Sequence, residues 1–251
     1  MAGSASSVDR GLAPDSSWRP LYRAGAAAAG LAVILYVAAL VIFVVTPAPP
    51  LSTSGGAATL DYVAGERGIY IIRQLLWLMP SLLLMVVVLA LTVALLRRSK
   101  SLAAIAGLIA ISSWAVSFAW PTTGEGSLAM VVLSDRYLTA STDAERALFV
   151  AGAEVLLALN DAQVVIGVLQ TLGILLLSAL MLRGVFPKGL AWLGVVTGGI
   201  GIISEALRPL LGWAYAVYGL LLFFWLIWVA VALWRLGVPT AKVMATVRAD
   251  G

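Results

Sequence analysis

The run "IISEALRPLLGW", residues 202–213, sets Glu205 and Arg208 three residues apart inside an otherwise apolar stretch. On a helix, residues i and i+3 share a face, so this carboxylate and guanidinium can pair. In an apolar setting such groups can also do chemistry, with Glu205 as an acid and Arg208 and Arg73 as anion clamps. Other polar side chains fall at the same level of neighbouring apolar runs: Arg73 and Gln74 in one, and Asn160, Asp161 and Gln163 in another, with Gln170 deeper. Tyr215, Tyr218, Leu222 and Trp225 follow a 3-4-3 spacing and share one helix face, which could line an apolar ligand cavity beside Glu205. A purely structural explanation competes with each assignment. The arginines can snorkel to lipid headgroups, Arg208 can simply neutralise Glu205, Asp161 can be a helix-end acid, and the aromatic face can pack against other helices.

The elements that must carry these groups follow from composition. The 251 residues are 62% hydrophobic and 11% charged, against about 25% charged in soluble domains. Mean hydropathy is +1.03. Runs of about 20 apolar residues match a hydrocarbon core of ~30 Å. They do not alternate as barrel strands would. The fold class expected is therefore all-α: a polytopic membrane bundle of six transmembrane helices, at roughly Leu21–Thr46, Gly68–Leu96, Leu102–Trp120, Ala162–Leu182, Leu190–Leu207 and Gly212–Arg235. Residues 1–20 read as a disordered cytoplasmic tail, 21–236 as the transmembrane domain and 237–251 as a cytoplasmic C-terminal tail.

Orientation follows from Lys and Arg. With the N-terminus inside, Arg10, Arg19, Arg23, Arg97, Arg98, Lys100, Arg183, Lys188, Arg235, Lys242 and Arg248 lie on the cytoplasmic side, which is eleven of the 16 basic residues. Both termini are expected in the cytoplasm of a plasma-membrane protein. The outer side then holds "PAPPLSTSGGAATLDYVAGER", read as a turn-rich loop, and a helical segment between spans three and four. There Thr142 and Glu145 have capping-box spacing, which predicts a helix through at least Leu159 with Phe149, Val155 and Leu156 buried. The fourth span either continues that helix or breaks from it at Asn160–Asp161. Glu205, about 22 Å past the inner end of its span, falls in the outer leaflet.

The formal charge of +4 is scattered over helix ends, so no nucleic-acid partner is expected, and the chain has no histidine and no cysteine. That removes disulfides, thiolate nucleophiles and most zinc sites. No metal and no cofactor is expected. Gly194 and Gly198 form a GxxxG, extended by Gly199 and Gly201, which lets another helix approach closely, either within the chain or in a homodimer.

The stretch "LRGVFPKGLAWLGVVTGGIG" has a small basic turn, then Phe186-Pro187-Lys188, Leu190, Trp192 and Leu193-Gly194 leading into a glycine-rich span. With "YRAG" at Tyr22–Gly25, it resembles the bacterial integral membrane proteins of the domain-of-unknown-function family numbered 4386. The resemblance implies a six-span bundle and no particular activity or catalytic residue. The longer outer segment before span four departs from it.

Three functions stay open. The first is a membrane protein binding an apolar or amphipathic ligand in an outward-facing pocket, with membrane lipids as partners. The second is a membrane-embedded enzyme acting on a lipid or isoprenoid, with Glu205 as acid and the aromatics stabilising a cation. The third is a small-solute transporter, against which stand the lack of an evident repeat and of broken midplane helices.

Overall fold

The computed structural model describes residues 15–46, 51–120, 122–123, 126–161 and 164–238. Its helices are α1 (Arg19–Val45), α2 (Leu51–Gly65), α3 (Arg67–Leu95), α4 (Lys100–Ala119), α5 (Ala129–Thr139), α6 (Asp143–Asp161), α7 (Val164–Met181), α8 (Lys188–Ala206), α9 (Arg208–Leu211) and α10 (Tyr215–Gly237). A two-stranded hairpin, β1 (Thr122–Thr123) and β2 (Gly126–Ser127), sits between α4 and α5. Helices α1, α3, α4, α8 and α10 are long and apolar enough to cross a membrane, and α7 is apolar but shorter. Its 18 residues span about 27 Å at 1.5 Å per residue.

These six apolar helices close into a ring in chain order. α1 packs on α3, α3 on α4, α4 on α7, α7 on α8, α8 on α10, and α10 returns to α1. The interior holds Leu91, Leu177, Leu226 and Leu233, all fully buried. The outside exposes Ile34, Val44, Leu108, Val165, Leu220 and Phe224. Apolar surface on every side of a bundle suits hydrocarbon, since soluble monomers rarely expose more than a few hundred Å² of it in one patch.

The turns carry local reasons. Ser99 caps α4, its hydroxyl accepting from the Leu102 N–H at 3.4 Å. Just before α1, in residues the composition assigns to the tail, a 3-10 turn spans Ser16–Trp18. There the Ser17 N–H and hydroxyl both bond Asp15 at 2.9 Å. These bonds, with Arg97 3.5 Å away, hold the Asp15 carboxyl below its ordinary pKa.

A second, smaller core lies at the end of the ring where α3 begins. Helices α2, α5 and α6 pack on one another around Leu60, Val63, Tyr70, Met130, Ala153 and Leu157. This corrects the turn-rich reading of residues 51–65. The segment is helical, with a break at Gly55, where φ is +78°, and it buries Thr59, Leu60 and Val63. Polar residues on successive turns of α3 hold this cap. Arg67 pairs with Asp135 at 2.6 Å, the Tyr70 hydroxyl donates to the Ser127 carbonyl at 2.8 Å, and Gln74 accepts from the Thr123 hydroxyl at 2.8 Å.

Thr142 does cap α6, its hydroxyl accepting from the Glu145 N–H at 3.2 Å. The reciprocal bond shifts back one residue, to the Ser141 N–H at 2.8 Å. The buried face differs from expectation at one position. Ala153 and Leu157 are buried and Phe149 and Leu156 half-buried, whereas Val155 is 58% exposed. At 100° per residue Val155 lies off the stripe made by 149, 153, 156 and 157. Helix α6 packs on the cap and α7 on the ring, so the two lie in different layers.

The contact between α7 and α8 is a ladder of small residues. Gly194, Gly198 and Gly201 of α8 face Ser178, Leu175 and Thr171 of α7. A Cβ on Gly198 would lie 2.7 Å from the Leu175 backbone nitrogen, and one on Gly201 would lie 2.5 Å from Thr171 Cγ2. Gly199 points into open space. Because the obstacle at Gly198 is backbone, Gly198→Leu is expected to cost about 3 kcal/mol, the upper part of the overpacking range. Gly199→Leu is expected to cost under ~1 kcal/mol. Unfolding of the two variants in a denaturing-detergent titration checks this, and equal losses would contradict the ladder.

Candidate functional site

The glycine ladder continues by one rung in the same register. Four residues beyond Gly201 stands Glu205, and opposite it on α7 stands Gly167, where any Cβ would collide with the Glu205 carboxyl. Three rungs put glycine on α8; the fourth puts it on α7 and uses the space for a carboxylate. Glu205 is 5% exposed, so its acceptors must be met inside the protein.

The chain supplies a donor for one of them by reversing direction directly after α8. Pro209 lies at the start of the four-residue α9. Gly212, at φ +50°, turns the backbone, and α10 begins at Tyr215. The Tyr215 hydroxyl donates to Glu205 Oε1 at 2.6 Å. The Arg208 Nη1 stands 4.0 Å from Oε2, and its guanidinium lies over the Tyr215 ring, 5.2 Å from the centroid. Tyr215 and Tyr218 meet edge to face at 5.8 Å. Among the described residues, Oε2 is one of the few buried side-chain oxygens with no hydrogen-bond donor.

Two cavities meet at this carboxyl. The smaller, about 140 Å³, is lined by Glu205, Arg208, Gln170, Gly167, Thr123 and Tyr215, with Trp77 and Ser117. The larger, about 480 Å³, shares Glu205, Gln170, Tyr215, Trp77 and Ser117, and continues among Tyr36, Trp114, Tyr218, Leu222, Phe223 and Leu226. The larger volume is within the range of small-molecule sites. Its wall includes the exposed residues Val37 and Leu40 of α1 and Gly219 and Leu220 of α10. At their other ends α1 and α10 are clamped, the Arg23 Nε donating to the Gly237 carbonyl at 3.0 Å. Exposed residues of both α1 and α10 line its wall, so the larger chamber reaches the outer surface of the ring between these two helices.

The structure brings together only some of the residues singled out from the sequence. Glu205, Arg208, Gln170, Tyr215 and Tyr218 line the joined cavities. Arg73 does not. It is buried, donates to the Thr46 carbonyl at 2.8 Å and to the Tyr62 hydroxyl at 3.4 Å, and lies over the Phe43 ring. There it ties the C-terminus of α1, whose dipole favours a cation, to α2 and α3. Gln74 is bonded to the hairpin through Thr123. Trp225 shares the α10 face with Tyr218 but packs against Gly194 of α8 instead of the chamber. The backbone of Asp161 ends α6, and Gln163 lies outside the described residues. Tyr36, Trp77, Trp114, Ser117 and Phe223 also line the chamber, and nothing in their sequence spacing marks them for a site. Their only signal is an aromatic or hydroxyl side chain within an apolar run, which packing explains equally well.

Comparison with models of known families, with curated proteins and with solved structures yields no match to this chain.

The carboxyl's nearest partner is Tyr215, and Arg208 is secondary. A hydrogen bond to a charged group contributes about 1.5–3 kcal/mol; an ion pair at 4.0 Å, with its arginine 35% exposed, is worth less than ~1 kcal/mol. Tyr215→Phe is therefore expected to destabilise by ~2 kcal/mol, about half of it when Glu205→Gln leaves a neutral acceptor and little of it when Glu205→Ala removes the acceptor. Arg208→Ala should cost under ~1 kcal/mol. A double-mutant cycle of unfolding in detergent measures both, and a neutral Tyr215→Phe beside a costly Arg208→Ala would reverse the assignment.

Proposed function

We propose that this chain is a six-span plasma-membrane protein, with both termini cytoplasmic, that binds an amphipathic ligand drawn from the outer leaflet. The observation that carries this reading is the meeting of a polar and an apolar cavity at one buried carboxyl. A ligand with a donor-bearing end can satisfy Glu205 Oε2 and Gln170 in the smaller space. Its apolar part then lies among Trp114, Tyr218, Leu222 and Phe223. The sideways opening between α1 and α10 favours entry from lipid over entry from water. Among the described residues, Leu91, Val229 and Leu233 fill the core of the ring. That favours a binder over a carrier.

The ligand is expected to survive gentle purification. Native mass spectrometry of the detergent-solubilised protein should show a bound amphiphile that is retained by Arg235→Gln and lost or weakened about tenfold in Glu205→Gln, a change of about 1.4 kcal/mol. Gly219→Trp should also displace it, because a side chain at Gly219, on the chamber wall, enters open space. An empty wild-type protein, or retention by all three variants, would contradict the reading.

The absence of cysteine makes orientation directly measurable. Ser127 is buried, so the outer reporter should be Ala144→Cys, which is exposed, and the inner one Ser101→Cys. An impermeant maleimide on intact cells is expected to label position 144 and not 101. The reverse pattern would invert the topology.

A further inference from the structure

A third cavity, about 480 Å³, lies between α4 and α7 at the opposite end of the ring from the cap. Its mouth carries Arg98 and Arg183, both exposed. Its walls are the apolar side chains Leu102 and Ile105 from α4 and Leu176 and Leu180 from α7. The groove is closed on its far side by direct contact of the two helices at Gly173, where a Cβ would lie 2.5 Å from Ala110 Cβ. From that contact the helices leave a slot that ends at two guanidinium groups. This site is separate from Glu205 and shares no lining residue with it.

The charge around the mouth has one sign. Lys100 follows Arg98 two residues later in sequence. The one described acid at this end, Asp15, is taken up by Ser17 and Arg97. Among the described residues, neither Arg98 nor Arg183 has an ion-pair partner. An apolar slot continuous with an unneutralised pair of guanidiniums matches one kind of occupant: an acyl chain joined to an anionic phosphate headgroup. Arginine forks are suited to phosphate oxygens, and basic pockets between helices at a cytoplasmic surface bind anionic lipid headgroups.

We infer that the groove between α4 and α7 is a binding site for an anionic phospholipid, with Arg98 and Arg183 holding the phosphate and Leu102, Ile105, Leu176 and Leu180 holding an acyl chain. The inference stands apart from any ligand at Glu205. A lipid seated here bridges two neighbouring helices of the ring, at the end opposite the cap.

The test is native mass spectrometry of the full chain titrated with phosphatidylglycerol or phosphatidylcholine in a neutral detergent. Tighter binding of phosphatidylglycerol is expected. Arg98→Gln and Arg183→Gln should each weaken it about fivefold, which corresponds to about 1 kcal/mol per basic residue. Both side chains are on the surface, so folding should be preserved. Leu180→Trp, which fills the slot without changing charge, should weaken both lipids at this site. Arg235→Gln removes a cation at the same end but outside the groove, and should leave phosphatidylglycerol binding within twofold. Equal affinity for the two lipids would overturn the proposal. So would a loss in Arg235→Gln as large as in Arg98→Gln, since that would make the effect one of general surface charge.

Discussion

Burying a carboxylate among apolar helices is the costly act in this structure, and the bare face of α8 is what makes it possible. An uncompensated charge in hydrocarbon does not persist. Glu205 is protected because Gly194, Gly198 and Gly201 bring α7 against α8, and because the next rung places Gly167 where a larger side chain would expel the carboxyl. The same glycines receive α10. Tyr218 sits close to Gly201 and Trp225 close to Gly194. One stripe of small residues thus positions both neighbours of α8, and through the reversal at Gly212 it brings Tyr215 back over the acid.

The polar groups at this end of the ring fall into two sets with different work. Arg73, Tyr70, Gln74 and Arg67 build the junction between the ring and its helical cap, each bonded to a cap or loop partner. Glu205, Arg208, Gln170 and Tyr215 surround open volume. Buried polar groups without a full set of partners, next to a cavity, mark places where a ligand gains by binding. The first set joins two parts of the fold, and the second faces the cavities. The two sets meet at Thr123, which bonds Gln74 and also lines the smaller cavity.

Much of this was legible before the structure. Span-length apolar runs set the helices, the glycine spacing marked a close contact, and Glu205 and Arg208 stood out because an apolar run rarely tolerates charge. The 3-4-3 face of α10 was read correctly as a face, yet its residues divide between chamber and packing, which periodicity cannot separate. Arg73 was grouped with Glu205 on depth alone. Depth says nothing of azimuth, and the side chain turns to Thr46 instead. Residues 51–65 read as a loop because Ser, Thr and Gly dominate their first half. Their helix is set by burial of Leu60 and Val63 against α5 and α6, a tertiary effect with little local trace. Val155 is apolar but stands about 100° or more from the stripe of Phe149, Ala153 and Leu157, so its hydrophobicity alone does not bury it. The chamber aromatics Tyr36 and Trp114 come from helices α1 and α4, far apart in sequence, and only closure of the ring brings them together.

The central claim is that an amphipathic molecule lies with its polar end at Glu205 and its apolar part in the larger chamber. Crystals grown from a lipidic phase doped with an alkyl amphiphile brominated near its tail end would locate that molecule by anomalous scattering. The account predicts a bromine peak among Trp114, Tyr218 and Phe223, with continuous density reaching the Glu205–Tyr215 pair. Bromine confined to the outer surface of the ring, with the chamber closed by its own side chains, would contradict it.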